Sequence, residues 1–502
     1  MSSPPLHHKM WSVLRPQLWL VLAVVSAVIG ERLHQPYLNL VSPALLLIYL
    51  HSQPLWRGVL LAAMAQIIAW SIFMKDFAPF MDQITWVITV SIGVGMALVP
   101  YLLDRTLASR LTPLLGSLLF PSAVIAMDTV RHFTDPTGSY GMLGYSFGAE
   151  QTLSHAAFYL GLDGLSFVAA WGAVVVARAY HELRVANRAE TSALRPMLFS
   201  FSTTLALFWL LGLLAQWPSV TPESNVRVTT ISQNSAFAGF HHAGKNQQKN
   251  LQDWLALSQQ QVAKGAQIIV WGEGALMIES EFETEALEAA KAFAKSNNVH
   301  LVISIFHADL AFQGMRHNKL IWIDSAGLLR QVYHKNHGQF AEKTVHGDGA
   351  LGFVDTEWGR FALSICWDAD FPRFIAQAYE NGAVALLNPS YDYEAVVEGR
   401  ADIARLRAIE NHVALIRPNN NGINLITDRR GKLLALQQTT HSNPVILSVD
   451  LPLSKASTKP IFLAQAFTFF CLALLTLLTA MAVRNRRKKR ISDHRSTKPI
   501  SR

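Results

Sequence analysis

The feature that most constrains this chain is the distribution of its apolar residues: eight apolar stretches bracket one long polar segment. They run Leu18 to Gly30, Leu38 to Leu50, Gly58 to Met74, Ile84 to Leu103, Leu111 to Met127, Ala156 to Val176 and Met197 to Trp217, with the eighth from Ile461 to Val483. Most approach the ~20 residues that carry a helix across a bilayer. The first two are short and fit a tight hairpin that crosses only in part. The 502 residues are 51% hydrophobic and only 16% charged, too apolar for a soluble enzyme of this size, so part of the chain sits in lipid. The first stretch lacks a small-residue cleavage site and leads into further membrane segments, so no cleavable signal peptide is expected.

Basic residues near the helix ends set an orientation. With the N-terminus in the cytoplasm, the inside segments carry Lys9, Arg15, Arg57, Arg105, Arg110, Arg178, Arg184, Arg188 and Arg195, and the outside ones only Arg32, Lys75 and Arg131. After the eighth stretch come Arg484, Arg486, Arg487, Lys488, Lys489 and Arg490, a juxtamembrane cluster of the kind that fixes topology or meets anionic lipid. A nucleic-acid-binding tail is the competing reading, and no nucleic-acid partner is expected. The net charge of +8 owes much to these segments and says little about a substrate. The predicted organisation is a transmembrane helical bundle of about seven segments over 1–217, an extracytoplasmic domain over 218–459, a C-terminal transmembrane helix over 460–483 and a basic cytoplasmic tail over 484–502.

Within the polar segment, strands alternate with helices and then with hairpins, which predicts an α/β domain of packed layers. Expected strands include Val226 to Gln233, Gln267 to Trp271, His300 to Phe306, Ala383 to Leu387 and a pair joined by the turn Asp324-Ser325-Ala326-Gly327, with two final strands either side of Asp428 to Gly431. Expected helices cover Asn250 to Ala263, Glu281 to Ala294, Phe371 to Glu380 and Ala401 to His412. The stretch FALSICWDADFPR, Phe361 to Arg373, reads as a buried strand ending in Cys366 just before the Phe371 helix. A thiol at such a turn faces backbone N–H groups that favour a thiolate and an oxyanion. On this stretch alone, a buried core cysteine fits as well. The only other cysteine, Cys471, falls in the last apolar stretch. An unpaired thiol in an oxidising compartment is a liability unless it has a use, which favours the catalytic reading of Cys366.

Two more groups stand at predicted strand ends, Glu273 in WGEGA and Lys335 in YHKNH. With Cys366 they supply what acyl transfer through sulfur needs: a base, a cation for the oxyanion and a nucleophile. In the membrane part, the loop before the sixth stretch carries Glu150, His155 and Asp163, polar groups that are costly near lipid unless they pair or face a wet cavity.

Glu273 after IIVW, Lys335 in Y-x-K and Cys366 in S-I-C-W-D resemble the Glu, Lys, Cys triad of the nitrilase, or carbon-nitrogen hydrolase, superfamily. Arg407-Ala408-Ile409-Glu410-Asn411, followed by Arg417-Pro418-Asn419-Asn420-Asn421-Gly422, is similar to its R-A-x-E and N-x-G stretches. Flanked by a helical bundle and one C-terminal helix, the domain resembles the apolipoprotein N-acyltransferase family. Gly144-Tyr145-Ser146 and the run from Gly161 to Phe167 look like that family's G-Y-S and G-x-x-G-x-S-F elements.

The resemblance implies an αββα sandwich, no metal and no cofactor, a phospholipid acyl donor, a diacylated apolipoprotein as acceptor, and a monomer in the bacterial inner membrane with its catalytic domain on the periplasmic side. It gives Glu273 the role of general base, Lys335 that of oxyanion stabiliser and Cys366 that of nucleophile. Glu342 matches the family's additional active-site Glu, Trp367 follows the nucleophile, and Asp368 takes the place of a family Glu. Tyr391, Tyr393 and Tyr145 are expected substrate contacts. The loop Asn388-Pro389-Ser390-Tyr391-Asp392-Tyr393 is closer to soluble amidases, so a membrane-tethered amidase is the alternative. A third reading is a non-catalytic scaffold, against which the intact triad argues.

Overall fold

A computed structural model describes residues 6–32, 35–73, 75, 82–135, 137–148, 150, 152–185, 194–216, 222–234, 246–307, 316–338, 344–392, 397–440, 443–454 and 461–496. The chain forms two compact units, one of 1–134, 141–213 and 460–502, the other of 135–140 and 214–459.

The first unit is helical: α1 (Leu6–Arg32), α2 (Pro36–His51), α3 (Leu55–Phe73), α4 (Gln83–Leu107), the short α5 (Pro113–Ser117), α6 (Leu119–Thr134), α7 (Ala157–Val185), α8 (Leu194–Gln216) and the last helix, Ile461–Ser496. Local chemistry starts them: Asp82 caps α4 by accepting from the N–H groups of Ile84 and Thr85 at 3.0 and 2.9 Å, and Pro113 opens α5 where no N–H is needed. Among the described residues, six helical segments are long and apolar enough to cross a bilayer, and Pro16–Gly30 and Tyr37–His51 are shorter apolar helices. Small residues Ala170, Ala173 and Ala177 on α7 let the neighbouring helices approach closely. The left-handed Gly161 (φ 66°) kinks α7. The two resemblance elements of this unit touch, since the Gly144 N–H donates to Ser166 Oγ at 3.0 Å. Asp163 accepts from Thr468 Oγ1 at 2.6 Å, and His155 is buried.

The second unit is a sandwich of two sheets with helices outside, the αββα arrangement. One sheet has the order β13-β1-β2-β4-β5-β6, with β3 also paired to β4, and the other the order β12-β11-β10-β9-β8-β7. The strands are β1 (Ser224–Ser232), β2 (Ile268–Trp271), β3 (Leu276–Ile278), β4 (His300–His307), β5 (Asn318–Ile323), β6 (Leu329–His334), β7 (Gly352–Thr356), β8 (Gly359–Leu363), β9 (Ala383–Leu387), β10 (Ala414–Arg417), β11 (Ile423–Thr427), β12 (Leu433–Gln438) and β13 (Val445–Leu453). The helices are α9 (Gln247–Val262), α10 (Glu283–Asn297), α11 (Pro372–Glu380) and α12 (Val397–Asn411), which makes the last helix of the chain α13.

Inner parallel strands such as β2 (IIVW) and β9 (AVALL) are wholly buried, as strands covered on both faces must be, and the edge strands β6 and β12 are the exposed ones. On the first sheet, Ala286, Ala290 and Ala294 of α10 and Trp254 of α9 pack on Ile269, Trp271 and Ile303. The strands β1, β2 and β4 run parallel, and two antiparallel steps through β5 turn β6 back into the same direction. In the other sheet β8, β9 and β10 are parallel. The carboxyl ends of β2 and β6 therefore share one edge of their sheet, where open α/β sheets place ligands.

Four strands are additional to the expected ones: β3, β7, β10 and β13. The strand before the cysteine ends at Leu363, and a 3-10 turn over Cys366–Asp370 separates the thiol from α11. The expected start of the second helix at Glu281 is likewise a 3-10 turn, Ser280–Phe282, with α10 beginning at Glu283.

Candidate active site

Glu273 leaves the end of β2 in a tight turn. Gly274 takes a left-handed φ of 62°, and Gly272 lies so close to the Asn420 carboxamide that a Cβ there would collide with it. The carboxylate is buried, and three donors hold it. Asn318 Nδ2 and Lys335 Nζ reach Oε1 at 2.8 and 2.9 Å, and the Tyr391 N–H reaches Oε2 at 2.8 Å. Lys335 follows β6 and is fully buried, so its pairing with Glu273 is a desolvated ion pair.

Cys366 begins the 3-10 turn with φ 45°, a left-handed conformation that a side chain adopts at a cost of ~1–3 kcal/mol and that clusters at functional sites. Its N–H donates to the Pro389 carbonyl at 2.9 Å and its Sγ to the Tyr391 carbonyl at 3.8 Å. Tyr391 thus touches the carboxylate through its N–H and the sulfur through its C=O. Burial pushes the Cys366 thiol well above its usual range, the Glu273 charge pushes it further, and Lys335 opposes them. This corrects the expectation of a thiolate favoured by the turn: the thiol is held neutral, and the Cys366 N–H is already committed to Pro389.

Asp368 ties the turn together. Its carboxylate accepts from Tyr333 Oη at 2.6 Å, the Ile365 N–H at 2.9 Å, the His337 N–H at 2.8 Å and His337 Nδ1 at 3.0 Å. Burial, with the charge of Asp368 beside it, raises the Tyr333 phenol well above its usual range and keeps it a donor. Trp367 is buried under the Arg400 guanidinium, 3.6 Å from its ring centre, and Arg400 also pairs with Asp370. Burial raises the Asp370 carboxyl to about 6 against the pull of that arginine. Residues 135–140, which belong to this unit, brace the same turn: Ser139 donates its N–H and its hydroxyl to the Asp370 carbonyl at 2.8 and 2.6 Å.

Glu273, Lys335, Cys366, Trp367, Asp368 and Tyr391 therefore converge. Tyr145 lies in the helical unit, in the 3-10 turn Leu143–Phe147. Glu342 and Tyr393 lie outside the described residues. Other members of the cluster carried no individual role in the sequence. Asn420 Nδ2 donates to the Glu273 carbonyl at 2.7 Å, and Arg417 NH2 reaches both Asp392 oxygens at 3.0 and 2.8 Å. The asparagine run at 419–421 was the available signal for the first. Nothing local marks Asn318 or Arg400.

Residues 231–458 match the family model described as carbon-nitrogen hydrolase. Over 182 and 189 residues, the chain is 29% identical to "Hydrolase C26A3.11" of Schizosaccharomyces pombe and 28% identical to "Deaminated glutathione amidase" of Dictyostelium discoideum. These alignments cover 31% and 33% of this chain and 56% and 65% of those proteins, under two thirds of either. An "Apolipoprotein N-acyltransferase" of Geobacter metallireducens is 23% identical over 465 residues, covering 85% of this chain and 86% of that one. An amidase structure from Nesterenkonia sp. covers 47% of this chain and 93% of its own at 21% identity and a TM-score of 0.38. With relatives named as hydrolase, amidase and acyltransferase, residues 231–458 of this chain form a domain of the carbon-nitrogen hydrolase, or nitrilase, superfamily.

Proposed function

We propose that this protein is an N-acyltransferase that moves a fatty acyl chain from a phospholipid, through a thioester on Cys366, to the α-amine of a diacylglyceryl-cysteine on an apolipoprotein. The observation that carries the reading is that similarity to an apolipoprotein N-acyltransferase extends over 85% of the chain, beyond the hydrolase domain and into the apolar helices. In this reading the protein spans the inner membrane, with the catalytic unit on the periplasmic side, and acts as a monomer.

Glu273 takes the thiol proton as Cys366 attacks the ester carbonyl. Because the thiol is neutral in the resting site, proton removal accompanies attack rather than preceding it. Lys335, beside Glu273, meets the oxyanion together with the peptide N–H of Trp367. Collapse of the tetrahedral intermediate breaks the ester C–O bond. The lysophospholipid leaves with the proton that Glu273 returns, and the acyl group stays on sulfur. The acceptor amine then attacks the thioester, loses a proton to Glu273 and leaves as the amide, while sulfur regains its proton. No metal or cofactor enters these steps.

Deleting the gene and weighing a lipoprotein N-terminal peptide tests the reading. The account expects loss of one amide-linked acyl chain, restored by the wild-type chain and not by Cys366→Ala; an unchanged mass refutes it. The second reading, a membrane-tethered amidase, is favoured by the 28% identity to an amidase over 189 residues and by the Asn388–Tyr393 sequence. Lysophospholipid release that depends on added diacylated lipopeptide would exclude it.

A further inference from the structure

A cavity of about 370 Å3 lies wholly within the helical unit, where the ends of α2, α4 and α7 meet the start of α8. Its size falls in the ~300–1,000 Å3 range of small-molecule sites. Leu47, Val174 and Met197 give it apolar walls, and His51, Asp104, Arg178, His181 and Glu182 supply polar groups. Ionisable groups on apolar helices are costly to keep and mark sites of use.

Asp104 is only 2% exposed. Its Oδ2 lies 2.7 Å from His51 Nε2, but Oδ1 has no hydrogen-bond partner among the described residues, the Arg178 NH2 being 3.6 Å away. Arg178, whose NH2 makes that long ion pair with Asp104, donates NH1 to the Pro113 carbonyl at 2.7 Å, and Arg105, next to Asp104, is spent on the carbonyls of Leu50 and Gln53 at 3.1 and 3.2 Å. The buried Nε2 of His181 also lacks a partner among the described residues. In the tautomer with its proton on Nδ1, that nitrogen accepts. The cavity therefore presents two acceptors that make no hydrogen bond among the described residues, Asp104 Oδ1, ion-paired with Arg178 at 3.6 Å, and His181 Nε2, with the Glu182 carboxylate as a third on its lining. What is missing is a donor with several N–H bonds.

A primary ammonium has three. A phosphate beside it would meet Arg178, whose side chain is 21% exposed, and the apolar walls would take the glyceryl and first acyl carbons. No group of three metal-ligating side chains occurs among the described residues, which leaves the ammonium as the better match. The apolar helical spans containing α4 and α7 end at Arg110 and Arg184, so the cavity sits at the level where a crossing helix reaches lipid headgroups. We propose that this cavity binds the headgroup of an aminophospholipid, with Asp104, His181 and Glu182 on the ammonium and Arg178 on the phosphate.

The test uses the full chain in nanodiscs and a phosphatidylethanolamine carrying a photoreactive headgroup, with cross-linked peptides mapped by mass spectrometry. It is run in the wild type and in Cys366→Ala, so that labelling of the catalytic unit is scored separately. The expected result is labelling of peptides from the ends of α2 and α7. Unlabelled phosphatidylethanolamine should compete, and phosphatidylcholine, whose trimethylated nitrogen has no N–H, should not. Soluble glycerophosphoethanolamine, lacking the chains, should compete far more weakly. Asp104→Asn and the cavity-filling Ala177→Trp should each cut labelling about tenfold, the loss of one charge-assisted hydrogen bond or of the space itself. Equal competition by phosphatidylcholine or by the soluble headgroup, labelling unchanged in both variants, or no label at these helix ends would each overturn the proposal. The wild-type competition decides even if both variants unfold.

Discussion

A protonated thiol is a weak nucleophile, and both burial and the Glu273 charge hold Cys366 in that form. The carboxylate therefore acts in two opposed ways: it raises the thiol in the resting site and accepts its proton during attack. Glu273→Gln separates them. Without the negative charge, and with Lys335 freed from its pair, the thiol should ionise at lower pH than in the wild type, read by thiolate absorbance. Acyl transfer should fall about 10²–10⁴-fold at the same time. An enzyme whose thiol ionised at higher pH after this change would contradict the assigned geometry. Lys335→Met should also lower the rate by about 10²–10³-fold, as expected of a lost oxyanion donor, without preventing alkylation of Cys366 by iodoacetamide.

Among the elements, the segment from Arg417 to Asn421 holds the site at several points. Arg417 pairs with Asp392, Asn419 accepts from the Asp392 N–H at 3.3 Å, Asn421 donates to the Asp392 carbonyl at 2.7 Å, and Asn420 fixes the turn of Glu273. Arg417 and Asp392 are each 1% exposed, so Arg417→Ala strands a buried carboxylate and should destabilise the protein by ~3–5 kcal/mol, measured by chemical unfolding in detergent. A second device stands at the start of α10. Hydrogen bonding from His307 first, and then from Lys319, lowers Glu283 from 4.5 to about 2. A carboxyl depressed by folding stabilises above its unfolded value and loses that contribution as pH falls through the folded one. Thermal unfolding between pH 4.5 and 2 should thus show a loss of stability that is smaller in Glu283→Gln.

The same elements explain what could be read from sequence. Wholly apolar β2 and β9, the Asp324–Gly327 turn and the buried strand before Cys366 carry local signals that the fold honours. β3 has three residues and β10 four, too short for a period, and β13 contains Pro452, which argues against a strand unless it sits at an edge, as it does here. The 3-10 turn at Cys366 was hidden because Pro372, the first residue of α11, fixes the helix start later than the apolar pattern suggests. Asn318 and Asn420 reach Glu273 from 45 and 147 residues away, and only strand pairing brings them there.

At the scale of the whole molecule, the apolar helices were the most legible part, because bilayer length is a constraint that any single stretch must meet alone. The chemistry proposed for the catalytic unit depends on lipid in a way that a soluble amidase does not, since a thioester survives for transfer only if water is kept from it. The direct measurement is the intact mass of the full chain after incubation with phospholipid of a single acyl composition, followed by addition of a diacylated lipopeptide. The account predicts a gain of one acyl group, located on Cys366, that persists until the lipopeptide is added and then appears on its α-amine. No adduct on Cys366, or an adduct that water removes at the same rate with and without the lipopeptide, would contradict it.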